Sequence, residues 1–136
     1  MVVTPLYAGA LALWFLVLSI KVIRYRGHGI NLGDGGDPNM LRLIRGHGNF
    51  SEYVPLILLM IGMLELSHYP FWVLHALGAT LLVARLLHGI SLSFTHQWRF
   101  GRFWGTALTF LLLIVAGGLC LLQGIRGVLV CPVAGT

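Results

Sequence analysis

Arg42, Arg45, Asn49 and Glu52 are spaced three, four and three positions apart in the stretch MLRLIRGHGNFSEYVPL. At about 100° per residue, an α-helix carries these four within an arc of about 80°, with Tyr53 at its edge. One face then holds two guanidiniums, a carboxamide, a carboxylate and, close by, a phenol. The guanidinium fork matches a carboxylate, the Glu52 carboxylate suits an ammonium, and the Asn49 amide suits a peptide. Such a face fits a small zwitterion carrying extra carboxylates. The plainer alternative is a structural ion-pair network between helices, Arg45 with Glu52 for example.

A second group lies in LLVARLLHGISL, where Arg85, His88 and Leu92 share a face by the same spacing. An Arg at the centre of a bilayer costs about 2.5–3.5 kcal/mol on insertion scales, so Arg85 is expected to face protein rather than lipid, or to snorkel if it lies near the interface. It either serves a site or pairs structurally with Glu52 or Glu65. His88 is either a satisfied interior histidine or part of that site. Arg99 and Arg102 precede the last apolar stretch. They either hold a loop on the basic side, or one of them reaches into a pocket and stabilises an anion. No HExxH or CxxC is present and the histidines are scattered, so no metal site is expected. Cys120 reads as a buried, inert thiol, and Cys131 adds no redox motif. Asp34 and Asp37 lie in GINLGDGGDPNM without the oxygen ligands or closing Glu of a calcium loop. With Pro38 and Asn39 they read as turns leading into a helix start.

The elements that must position these residues follow from composition. The chain has 136 residues, of which 57% are hydrophobic and only 10% charged, and its mean hydropathy is +0.87. Soluble domains carry about 25% charged residues, so a soluble domain, a disordered segment and a disulfide scaffold are all excluded. Four apolar stretches at about 5–23, 40–65, 70–93 and 103–123 predict an all-α integral membrane four-helix bundle, forming one domain over 1–136. A span needs roughly 20 residues. The apolar part of the second, Tyr53 to Leu64, is too short unless its helix begins near Met40 in polar sequence. Polar residues at that depth must face protein or a cavity, which makes the second an inner helix. Gly46 and Gly48 would allow close approach on its opposite face, and Pro55 predicts a bend. The start, MVVTPLYAGA, has no basic residue ahead of its apolar run, so a retained span is expected rather than a cleaved signal. Lys and Arg concentrate between spans one and two and between spans three and four. The positive-inside rule then puts both loops in the cytoplasm and both termini on the non-cytoplasmic side. That accounts for the net charge of +5 without nucleic acid.

The segment from Arg42 to Pro55, with its pattern R-x-x-R-x-x-x-N-x-x-E-x-x-P, resembles the signature of the membrane-associated proteins in eicosanoid and glutathione metabolism, the MAPEG family. Length, four spans, VARLLH in span three and an Arg before span four extend the likeness over nearly the whole chain, and the loop sequence resembles the bacterial branch. The resemblance implies a homotrimer in a bacterial inner membrane that binds glutathione as co-substrate at subunit interfaces, on the cytoplasmic side. It assigns glutathione binding to Arg45, Asn49, Glu52 and Tyr53, joined by Arg24 or Arg26 from a neighbouring subunit. It assigns stabilisation of the thiolate to Arg102, or failing that Arg99. Some members face glutathione with two tyrosines on span three; here those positions are His88 and Leu92.

The resulting expectation is a membrane-bound glutathione transferase or peroxidase acting on lipophilic electrophiles taken from the bilayer. Two alternatives stand beside it. One is a non-catalytic membrane scaffold that binds lipid or glutathione. The other, a small transporter subunit, has only the intramembrane charges in its favour and shows no inverted repeat.

Overall fold

The computed structural model describes residues 1–27, 29–30, 32–96 and 98–130, and within them the chain is all-helical. Four helices follow one another: α1 (Val3–Arg26), α2 (Pro38–Leu66), α3 (Phe71–Ser93) and α4 (Arg99–Val130). Each is long and apolar enough to cross a membrane, where a helix satisfies its backbone hydrogen bonds internally. Cys131 lies outside the described residues.

The helices run past the apolar stretches at polar ends. Helix α2 begins at Pro38, two residues earlier than expected, because Asp37 caps it: its Oδ1 accepts from the Asn39 N–H at 2.7 Å. Pro at the first helical position gives up a donor that has no intrahelical partner anyway. Helix α1 continues through Arg24 and Arg26, whose charges suit the negative end of the helix dipole. Helix α4 begins at Arg99, so Arg99 and Arg102 lie in its first turn rather than in the preceding loop. It also extends beyond residue 123 to Val130. Helix α2 runs unbroken through Pro55.

Inter-helix contacts show the up-down arrangement. The N-terminal half of α2 meets the end of α3, where Arg42 donates to the Ser91 carbonyl at 3.1 Å. The C-terminal end of α2 meets the start of α1, where the Glu65 carboxylate accepts from the backbone N–H groups of Val2, Val3 and Thr4, the last two at 2.8 Å. Helices α2 and α3 each pack against all three others, whereas among the described residues α1 and α4 do not pack on each other. The inner place expected of α2 is thus shared with α3, which is the more buried.

Between lipid-exposed helices the hydrophobic effect gives little drive, so close packing across small residues does the joining. A Cβ on Gly105 would come within 2.8 Å of the Ala84 carbonyl oxygen and of His88 Cβ, so glycine there seats α4 directly on α3. A Cβ on Gly89 would meet the Trp14 ring at 2.9 Å, and the Trp14 indole N–H donates to the Arg85 carbonyl at 3.2 Å. Of the two α2 glycines singled out from the sequence, Gly46 faces Ser93 and Leu92 at close range, whereas Gly48 faces open space.

Glu65→Ala removes the acceptor from three orphan helix donors. It is expected to destabilise the protein by about 1 kcal/mol, read as a lower thermal midpoint in detergent, with Glu65→Gln in between. At the other end of α2, the Tyr25 hydroxyl donates to Asp37 Oδ2 at 2.7 Å and holds the Asp37 carboxyl below its usual range. Because the folded value is the lower one, Asp37 contributes its stability above about pH 4, the unfolded value, and loses it as pH falls through the folded value. The gap in thermal midpoint between wild type and Asp37→Ala should therefore be full at pH 7 and narrow below pH 4.

Candidate functional site

A groove of about 550 Å³ lies between α2, α3 and α4, in the half of the bundle where the basic residues gather. Helix α2 contributes Leu41, Arg42, Arg45, Asn49 and Tyr53; α3 contributes Arg85, His88 and Leu92; α4 contributes Arg102, Thr106, Thr109 and Phe110. Helical spacing accounts for each set. Residues 42, 45, 49 and 53 are separated by three, four and four positions, 85, 88 and 92 by three and four, and 102, 106 and 109 by four and three, so each series stays on one face. The lining carries four guanidiniums and no Asp or Glu. Its field favours an anion, and its volume falls within the range of about 300–1,000 Å³ that holds small ligands.

Arg85 forms the floor. It is only 3% exposed. Its Nη1 donates to the Asn49 carbonyl at 3.3 Å; its Nη2 donates to the Gly105 carbonyl at 3.1 Å and to the Thr109 hydroxyl. One α3 cation thereby binds α2 and α4. The expected pairing with Glu52 or Glu65 does not occur: Glu65 holds the start of α1, and Glu52 is exposed. Arg85 Nε is buried with no hydrogen-bond partner, and the guanidinium carbon lies 5.9 Å from the Tyr53 ring centroid. This charge is solvated by neutral carbonyl and hydroxyl dipoles and is not neutralised by a carboxylate.

At the groove's upper end, Arg42 donates to the Ser91 and Thr95 carbonyls and so closes the C-terminal end of α3. Arg102 is exposed in the first turn of α4. A cation at the positive end of a helix is placed against the dipole, which costs about 0.3–1 kcal/mol. An anion in the groove would offset that cost.

Of the residues singled out from the sequence, Arg45, Asn49, Tyr53, His88 and Arg102 come together here. Tyr53, placed at the edge of the stripe, sits inside the groove. Glu52 is exposed and does not line it. The reason is register: the face of α2 turned inward is centred on Arg42, Asn49 and Tyr53, which leaves Glu52 at the rim. Arg45 and Glu52 form no ion pair with each other among the described residues. Arg99 lines a shallower hollow beside the groove, with Arg102, Phe103 and Ala107. Arg24 lines a separate groove on the α1 side, and Arg26 is half-buried in the last turn of α1. Thr106, Thr109, Phe110 and the Gly105 carbonyl were missed from the sequence. The spacing of Arg102, Thr106 and Thr109 was the available signal. Cys120, expected to be buried, is half-buried in an apolar hollow with Met60, its thiol 3.6 Å from the Met60 carbonyl.

The MAPEG family model matches residues 4–122. Inner membrane protein YecN of Escherichia coli strain K12 is 33% identical over 118 residues, which cover 84% of this chain and 88% of that protein. The same protein from Escherichia coli O6:H1 matches to the same extent. No solved structure matches significantly.

The acceptors of Arg85 lie within helices and, for Thr109, already bond elsewhere, since its hydroxyl donates to Gly105 at 2.7 Å. Arg85→Met therefore strands no buried donor and removes a desolvated cation. The thermal midpoint in detergent is expected to stay equal or rise, while binding of an anionic ligand in the groove weakens at least tenfold by calorimetry.

Proposed function

The chain belongs to the MAPEG family, and from that premise we propose that it is a membrane-bound glutathione transferase or peroxidase acting on lipophilic electrophiles. The observation that carries this reading is the groove itself: four guanidiniums, an amide, a phenol and an imidazole around about 550 Å³, with no carboxylate in the lining. Glutathione carries two carboxylates, an ammonium and two peptide amides. Arg45 and Arg42 would take a carboxylate, Asn49 an amide, and Glu52 at the rim the ammonium. Tyr53 and His88 would flank the cysteinyl part. The functional unit would be a homotrimer, with Arg24 or Arg26 of an adjoining copy completing the pocket.

The chemistry needs a thiolate. A free thiol has a pKa near 8.5, so only a few per cent is ionised at neutral pH. A guanidinium beside the sulfur, in a site shielded from water, favours the charged form. Arg102 is the first choice for that role and Arg99 the second. Both stand where α4 meets the hollow lined by Phe103, Ala107 and Phe110, an apolar approach to the sulfur for a molecule dissolved in the bilayer. The proton leaves to water, because Arg is no base. The sulfur then forms a bond to the electrophilic carbon as the leaving group, chloride for example, departs with its electron pair.

The inner-membrane placement follows the name of the YecN relative together with four helices able to span. The helix ends bearing Arg24, Arg26, Arg99 and Arg102 would then face the cytoplasm, where glutathione is made, with both termini on the opposite side.

Arg102→Ala is expected to lose conjugation of a chlorinated aromatic test substrate by about 100-fold while glutathione still binds. Arg45→Ala should instead weaken glutathione binding at least tenfold. Full activity in both Arg102→Ala and Arg99→Ala would reject the thiolate role. Binding of glutathione without turnover across a panel of electrophiles and hydroperoxides would favour the scaffold alternative.

A further inference from the structure

A second polar groove lies on the α1 side of α2, separate from the one that holds Asn49 and Tyr53. It occupies about 410 Å³ between the last turns of α1 and α3 and the first turns of α2. Lys21, Arg24, Arg42, Asn39, Thr95 and His96 supply its polar lining, over a floor of Leu43, Leu92 and Phe94. Three permanent cations thus meet in one recess that no Asp or Glu lines.

The surroundings do not neutralise these charges. Lys21 Nζ sits 4.2 Å from the centre of the Phe94 ring, which is itself stacked on Trp14. A ring holds an ammonium in place without supplying a counter-charge. Arg42 is held by the carbonyls of Ser91 and Thr95, which likewise leave its charge intact. The nearby carboxylate, Asp37, turns both oxygens to its own neighbours: Oδ1 takes the Asn39 N–H and Oδ2 the Tyr25 hydroxyl, each at 2.7 Å. The recess lies where α1 and α3 end and α2 begins, a level that in a bundle spanning a bilayer falls at the polar headgroup layer.

We propose that this groove binds a phosphate group, presented by the headgroup of an anionic phospholipid. Lys21 and Arg24 would contact the phosphate oxygens, with Asn39 and His96 as further donors, while Leu43 and Phe94 meet the start of the acyl chains. The bound lipid would fasten the ends of α1, α2 and α3 together at the membrane surface. The proposal does not depend on glutathione. Arg24 and Arg42 figure in both readings, so the test rests on Lys21, Asn39 and His96, which the thiol chemistry does not use.

The full chain, purified in neutral detergent, is titrated with phosphatidylglycerol, with phosphatidylcholine and with inorganic phosphate. Bound lipid is counted by native mass spectrometry, and the thermal midpoint is followed in parallel. Phosphatidylglycerol should be retained and raise the midpoint more than phosphatidylcholine does. Lys21→Gln should weaken phosphatidylglycerol binding about fivefold, with Lys21→Arg restoring it and Lys21→Gln/His96→Gln weakening it further. Should Lys21→Gln fail to fold, Asn39→Ala carries the comparison. Equal binding of the two lipids, or phosphatidylglycerol binding undiminished in the double variant, overturns the proposal. Protection by millimolar inorganic phosphate equal to that of the lipid would assign the groove to a soluble phosphate and overturn the lipid assignment.

Discussion

A guanidinium inside a membrane bundle has to be solvated by the protein, because the surrounding lipid offers it nothing. Arg85 is that guanidinium, and much of the fold is arranged around meeting its demand. The Asn49 carbonyl reaches it from α2, and the Gly105 carbonyl and Thr109 hydroxyl reach it from α4. Those acceptors are within range only because α4 lies flush on α3, which a side chain at position 105 would prevent. On the far side, the Trp14 indole bonds the Arg85 backbone carbonyl through the gap left at Gly89. The close approach of the helices brings all of these acceptors to one charge.

That solution leaves the charge in place. Dipoles hold the guanidinium but do not neutralise it, and its Nε is left without a partner. Arg42, Arg45 and Arg102 add three more cations to the same groove. The groove is therefore held ready for an anion by a scaffold that bears the cost of its charges beforehand, the arrangement that makes electrostatic stabilisation effective in a water-poor site. No carboxylate of the described chain lines the groove. Glu65 seats the start of α1, Asp37 caps α2, and Glu52 stays at the rim.

The sequence was legible where the physics is one-dimensional. Apolar length marked four spans, Pro38 with Asn39 marked a helix start, and the stripe through Arg42, Arg45, Asn49 and Glu52 marked a helix face of which all but Glu52 line the groove, together with Tyr53 from its edge. It was less legible where ends are polar. Arg99 and Arg102 read as loop residues, yet they form the first turn of α4, because a helix end at the interface needs no apolar residue. The acceptors of Arg85 were not foreseen, for another reason. A charge pattern brings carboxylates to mind, whereas neutral backbone carbonyls, which every residue has, leave no mark in a sequence.

The sequence by itself determined that this protein is an all-helical membrane bundle of the MAPEG family and which face of α2 carries the polar stripe, since hydropathy and helical period are properties of a single segment. Only the tertiary structure decided that Arg85 is bound by dipoles and unpaired with Glu52 or Glu65, and that Thr106 and Thr109 join the site. It alone separated Arg24 from the main groove and put it with Lys21 in a second one. These are relations between helices, and they depend on how closely two backbones approach. That distance is set at Gly46, Gly89 and Gly105 by the residue each one faces across the interface.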